Sequence, residues 1–157
     1  MAALVALFEG AGCRDVRTYI QSGNVVFDAS PALAGRVGSV VEAGLLERLG
    51  VGSPVVIRTA PELSRVSRAR AFEGADERHL HVMFLREMPT PAAVRSLDPD
   101  RSAPDEFIVD GREIYLRLPQ GVARSKLTNA YFDRALGTVS TGRNWRTVRA
   151  LAEMASG

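Results

Sequence analysis

The stretch Glu106-Phe107-Ile108-Val109-Asp110-Gly111-Arg112-Glu113-Ile114-Tyr115-Leu116-Arg117-Leu118 decides the fold of this chain. Two runs rich in aliphatic, aromatic and β-branched residues flank Asp110-Gly111, a dipeptide that closes two-residue β-hairpins. The spacing therefore predicts antiparallel strands at 106–109 and 112–118. Upstream, His79–Arg86 places Leu80, Val82 and Phe84 on one face of a further strand. Thr90-Pro91 then opens a helix through Val94 and Leu97, and Asp98–Asp105 forms a loop. Downstream, a helix is expected from Arg124 or Ser125 to Leu136, stopped by Gly137, followed by a short strand at Val139–Thr141. Asn144 caps a last helix whose apolar face is Trp145, Val148, Leu151, Ala152 and Ala155.

Residues 79–141 thus run β-α-β-β-α-β, the split βαβ or ferredoxin-like order. The first half follows the same order with one element fewer. A helix at 3–11 stops at Gly12. Strands at Val16–Gln21 and Val25–Phe27 flank a turn whose two-residue loop is expected at Gly23-Asn24. Ser30-Pro31 opens a helix to Leu49, weakened by Gly35, Gly38 and Gly44. Val55-Val56-Ile57 reads as a short buried strand. Thr59 and Glu62 form a capping box for a helix to about Phe72. The fold class expected is α+β: two subdomains of ferredoxin-like pattern, 1–72 and 73–157, joined through the polar segment Glu73–Arg78. The first lacks its initial strand, which is central in such a sheet.

Composition removes several function classes. With 157 residues, 46% hydrophobic and 24% charged, the chain is too apolar to be disordered and long enough to fold on one or two small cores. No apolar run is long enough to cross a bilayer, and one cysteine makes no internal disulfide. Met1-Ala2-Ala3-Leu4 lacks the basic start of a signal peptide, and Glu9 follows closely. The expectation is a globular, cytoplasmic protein with no membrane partner and no cofactor. Charge is uneven: residues 1–111 carry a net −3 and residues 112–157 a net +5. A basic C-terminal third points to an anionic partner. Nineteen arginines against the single Lys126 also fit a GC-rich genome.

Three stretches carry a resemblance. Asp15-Val16-Arg17-Thr18-Tyr19-Ile20-Gln21-Ser22-Gly23-Asn24-Val25-Val26-Phe27, Arg124-Ser125-Lys126-Leu127-Thr128-Asn129 and Arg143-Asn144-Trp145-Arg146-Thr147-Val148 resemble signatures of the bacterial family called domain of unknown function 1697. Arg78–Leu85 is similar to that family in style. The resemblance runs from about Ala2 to Ala155. It implies two α+β subdomains, each similar to the ferredoxin-like arrangement, and it implies no activity. Family members usually begin with a strand and an Arg-Gly-Ile-Asn-Val-Gly-Gly-like stretch before the first helix. The expectation is therefore that Met1 is an internal methionine and the central strand is missing. The last signature commonly reads Arg-Asn-Trp-Asn-Thr-Val, so Arg146 stands here in place of an amide.

The leading candidate site is the basic group Arg124, Ser125, Lys126, Arg143, Asn144 and Arg146, expected at the starts of the last two helices. Helix N-termini offer free N–H groups and partial positive charge, and arginine adds a bidentate fork. The competing reading is two ordinary caps with solvated arginines. Gln21, Ser22 and Asn24 at the first hairpin are a second candidate, although turn chemistry alone explains Asn24. His79 and His81, at i and i+2, lack a visible third metal ligand, so no metal site is expected. Cys13 reads as a small buried apolar residue, and Trp145 as core. The functional expectation is a binding module for an anionic, phosphate-bearing ligand, nucleic acid included. The alternatives are an enzyme acting on a small metabolite in the cleft between subdomains, or a protein-interaction module. No nucleophile or acid–base pair stands out for catalysis, and the sequence sets no oligomeric state.

Overall fold

The computed structural model describes residues 2–20 and 23–157. The chain divides into two compact units, Met1–Ser64 with Ala150–Gly157, and Arg65–Arg149. The architecture is α+β, with antiparallel strand pairing throughout the described residues.

In the first unit, helix α1 (Ala2–Gly10) is followed by strands β1 (Arg14–Tyr19) and β2 (Asn24–Asp28), which pair with each other. Leu7, Phe8, Cys13, Leu33, Val37 and Val41 form the core, with Phe8 and Phe27 ring centroids 4.9 Å apart. Cys13 is buried in that core, and burial raises its thiol pKa. The expected Gly23-Asn24 loop is corrected: Asn24 already pairs with Tyr19, so the connection runs over 20–23. Part of that connection, Gln21 and Ser22, lies outside the described residues.

The single helix expected from Pro31 to Leu49 is two, α2 (Pro31–Ala34) and α3 (Val37–Leu49). Gly35 separates them, since glycine holds a helical conformation poorly. Ser30 caps α2 as the sequence indicated, its Oγ accepting from the Leu33 N–H at 3.2 Å. Val55–Ile57 forms no strand. Its side chains pack on the core, but the Val55 N–H donates to the Glu42 carboxylate at 2.6 Å instead of joining a ladder. Helix α4 (Ala60–Ser67) begins on the expected capping box: Thr59 N–H donates to Glu62 Oε1 at 2.9 Å, and Glu62 N–H to Thr59 Oγ1 at 3.3 Å. It ends before the expected Phe72, in tighter i to i+3 bonds from Arg68 and Ala69.

The second unit is built on a four-stranded antiparallel sheet of β3 (Leu80–Leu85), β4 (Glu106–Asp110), β5 (Glu113–Arg117) and β6 (Ser140–Asn144), in the order β4-β5-β3-β6. His79 lies in a 3-10 turn before β3, so the two histidines do not share a strand. The decisive hairpin forms, with the pair Asp110↔Glu113 leaving Gly111-Arg112 as its two-residue loop, one position later than the Asp-Gly signal suggests. Gly111 has φ +61°, the backbone that a glycine at the first loop position supplies.

Helices α5 (Pro91–Arg95) and α6 (Asn129–Leu136) bring Val94, Phe132 and Leu136 onto one face of the sheet, over Met83, Leu85, Ile114 and Leu116. The other face carries Val82, Phe84, Glu113 and Tyr115, as strand alternation requires, and all four are buried. The last helix, α7 (Trp145–Ser156), starts directly from β6.

Candidate functional site

The basic residues named from the sequence all lie in the second unit, on two segments. The first is the loop before α6. Arg124 ends a 3-10 turn, and Ser125 and Lys126 follow it. The helix start expected at Arg124 or Ser125 is corrected to Asn129, with Thr128 as the cap accepting from the Tyr131 N–H at 3.2 Å. Ser125 caps a shorter turn, its Oγ accepting from the Leu127 N–H at 3.0 Å.

Tertiary contacts hold this loop extended. The Lys126 N–H donates to Ser102 Oγ at 2.9 Å, and its carbonyl accepts from Arg101 Nε at 3.1 Å. Leu127 is buried in the core between them and α6. Arg101 in turn stacks its guanidinium 4.0 Å above the Tyr131 ring. Arg124, Ser125 and Lys126 are thus presented by a fixed loop, not by a helix N-terminus.

The second segment is the junction of β6 and α7. Arg143 lies across the ladder from Val82, and Asn144 from His81. Arg143 Nη1 donates to Thr141 Oγ1 at 2.6 Å and to the Gly142 carbonyl at 2.7 Å, which fixes its direction along the strand. Partial burial lowers its pKa from the usual arginine value. Asn144 closes the strand and caps α7, its Oδ1 accepting from the Thr147 N–H at 2.8 Å. Arg146 is exposed in the first turn of α7, and Trp145 beside it is buried.

The two segments are tied by side chains. Asn129 Nδ2, at the start of α6, donates to Ser140 Oγ in β6 at 2.9 Å, and the Ser140 hydroxyl donates to Asp133 Oδ1 at 2.6 Å. Among the described residues, Arg124, Lys126 and Arg146 have no carboxylate partner, whereas Arg65, Arg70, Arg78, Arg117 and Arg149 each have one. One carboxylate lies behind the loop: Asp105 is buried, its Oδ2 accepting from the Ser102 hydroxyl at 2.8 Å, while its Oδ1 has no hydrogen-bond partner among the described residues.

The hairpin candidate divides. Asn24 is buried in the first unit, where its Nδ2 donates to the Tyr19 carbonyl at 3.1 Å and closes the turn. Gln21 and Ser22 lie outside the described residues.

Sequence reading missed a buried charge and its neighbour. Glu113, on the second sheet face, is 2% exposed, and its Oε1 accepts from Arg65 Nη2 at 2.8 Å. Tyr115, two residues along the same face, has its phenol pKa pushed up to about 12 by burial and then by the Glu113 and Asp110 charges. The alternation of the strand placed both residues on one face, but nothing local distinguished a covered face from a wet one. Burial lowers the pKa of His81 on β3, and the nearby His79 adds to the shift. No group of three His, Cys, Asp and Glu side chains suited to a metal ion occurs among the described residues. Nor is any helix there long and apolar enough to cross a membrane.

Comparison with known proteins places this geometry. A solved structure of a conserved bacterial protein from Streptococcus pneumoniae is similar with a TM-score of 0.66 at 18% identity, over 100% of this chain and 89% of that one. At that identity the likeness is one of fold. Among curated proteins, none matches. The model of the family described as "Protein of unknown function (DUF1697)" matches residues 1–115, nearly three quarters of the sequence. The chain belongs to the DUF1697 family.

Proposed function

We propose that the second unit is a binding module for an anionic, phosphate-bearing ligand, a nucleic acid strand included. One observation carries the reading: Arg124, Lys126 and Arg146 are exposed cations with no carboxylate partner among the described residues, on two segments joined through Asn129 and Ser140. An unpaired guanidinium keeps its donors available for a bidentate phosphate contact. Arg143 adds charge at the start of α7, where the helix dipole also favours an anion. Ser125 and Asn144 already accept backbone N–H bonds, so the remaining capacity of each side chain is the part open to a ligand.

The strand order β4-β5-β3-β6, with helices following β3 and β5, supports a ferredoxin-like reading of this unit. A cytoplasmic setting, where phosphorylated ligands abound, belongs to the same proposal.

Fluorescence anisotropy with a labelled RNA and a labelled DNA oligomer tests it, at low and physiological salt, against the variant Arg124→Ala/Lys126→Ala/Arg146→Ala. These exposed positions are better probes than Arg143, whose hydrogen bonds belong to the strand. A rise in melting temperature with pyrophosphate covers the small-ligand form. The expected result is salt-sensitive binding or thermal stabilisation in the parent protein, abolished in the variant while its circular dichroism is kept. Absence of both oligomer binding at low salt and any pyrophosphate effect removes the proposal.

A further inference from the structure

We propose that a pocket beside Trp145, separate from the basic surface, seats the carboxylate of a small organic acid. The pocket lies wholly within the second unit, between residues 69–72 and the sheet. Arg70, Phe72, Leu80, His81, Tyr115 and Trp145 line it, with two alanines and Leu116.

Its polar groups are unusual for their burial. Tyr115 is 5% exposed and Trp145 8%. Yet the phenol of Tyr115, the indole N–H of Trp145 and the imidazole of His81 have no hydrogen-bond partner among the described residues, and none of them is sealed from solvent. Buried tyrosine and tryptophan normally give their O–H or N–H to a partner. Here the partner must come from whatever fills the pocket.

The chemistry of the three groups selects the occupant. Indole is a donor only, and a phenol held protonated donates readily. Burial keeps the imidazole neutral at neutral pH, so it offers one donor and one acceptor. A wall with three donors fits a group made of acceptors. The volume of about 40 Å³ admits roughly three waters, or a few heavy atoms, and excludes a nucleotide or a sugar. A carboxylate on a short carbon stub fits, with Phe72, Leu80 and Leu116 against the carbon end. Arg70 supplies the opposite charge from the rim. Its side chain is 81% exposed and only loosely paired with Glu73, at 3.3 Å. A phosphate dianion would need a buried cation to offset its desolvation, and the lining has none.

Trp145 is the only tryptophan of the chain, so its fluorescence reports on the pocket directly. The test titrates sodium acetate against sodium chloride at equal ionic strength, with acetamide as the neutral isostere. Acetate is expected to change the emission saturably, with a dissociation constant between tens of micromolar and about millimolar, the range open to a four-atom ligand. Acetamide should bind about tenfold more weakly. Tyr115→Phe should weaken acetate about tenfold, and Arg70→Ala, at the exposed rim, about threefold. The variant Arg124→Ala/Lys126→Ala/Arg146→Ala should keep the acetate response, which separates this pocket from the basic surface. The absence of a saturable response to acetate overturns the proposal. So does equal affinity for acetamide, or acetate affinity unchanged in both Tyr115→Phe and Arg70→Ala.

Discussion

Glu113 and Tyr115 carry the strongest electrostatics of the second sheet face. A carboxylate at 2% exposure survives there because Arg65 reaches it from the side, at 2.8 Å, while keeping most of its own surface in water. Tyr115 feels that carboxylate and the loss of solvent together, and both hold its proton on. Its phenol titrates near 12 in the folded protein, against about 10 in an unfolded chain. The native state therefore keeps a proton that the unfolded state gives up first. This contribution to stability is fully present below about pH 10 and falls as pH rises towards 12. A tyrosinate absorbance titration should show a late step that Tyr115→Phe removes. Urea unfolding should lose stability over the same interval in the parent and less in the variant. Neither shift was legible in the sequence, since Glu113 and Tyr115 read equally well as the wet face of an ordinary hairpin.

At the scale of elements, caps were the most readable signal. Ser30, Thr59, Thr90 and Asn144 each accept the backbone bond expected of them, because a cap involves only three or four neighbouring residues. Ser125 shows the limit of that reasoning. Its hydroxyl can cap a helix or a short turn with equal local ease. The choice is made elsewhere: Leu127 enters the core, and the backbone of Lys126 bonds to Ser102 and Arg101, which holds 125–127 extended. The helix then starts after Thr128. Thr128→Ala is expected to cost about 1 kcal/mol in urea unfolding, and Ser125→Ala about half of that or less. Equal costs would return the helix start to Ser125. Strand β6 makes the same point more strongly. Ser140-Thr141-Gly142-Arg143-Asn144 carries no apolar residue, and it is a strand because β3 offers it a free edge to pair with.

For the whole molecule, a net charge of +2 steers nothing by itself. What matters is that the excess is carried by the last third of the chain, at +5, with three of its cations unpaired among the described residues. Three or four phosphate contacts imply a modest salt dependence. For a single-stranded oligomer, the slope of log K against log salt should be about −2 to −3 in the parent protein. It should approach zero in Arg124→Ala/Lys126→Ala/Arg146→Ala. A slope unchanged by that variant would assign the electrostatic contacts to other arginines.

The sequence by itself determined the α+β class, the order of elements in the second half, the position of most caps and the apolar stripe of α7. Each depends on periodicity or on contacts between near neighbours, which a linear reading contains. Tertiary structure alone decided four things: the split between α2 and α3, the ladder that makes a strand of a polar segment, the extended loop that presents Arg124 and Lys126, and the covered sheet face that buries Glu113 beside Tyr115. Each of these turns on which surfaces meet at long range, and burial changes the energy of a charge or a backbone group without leaving a local mark on the residues that carry it.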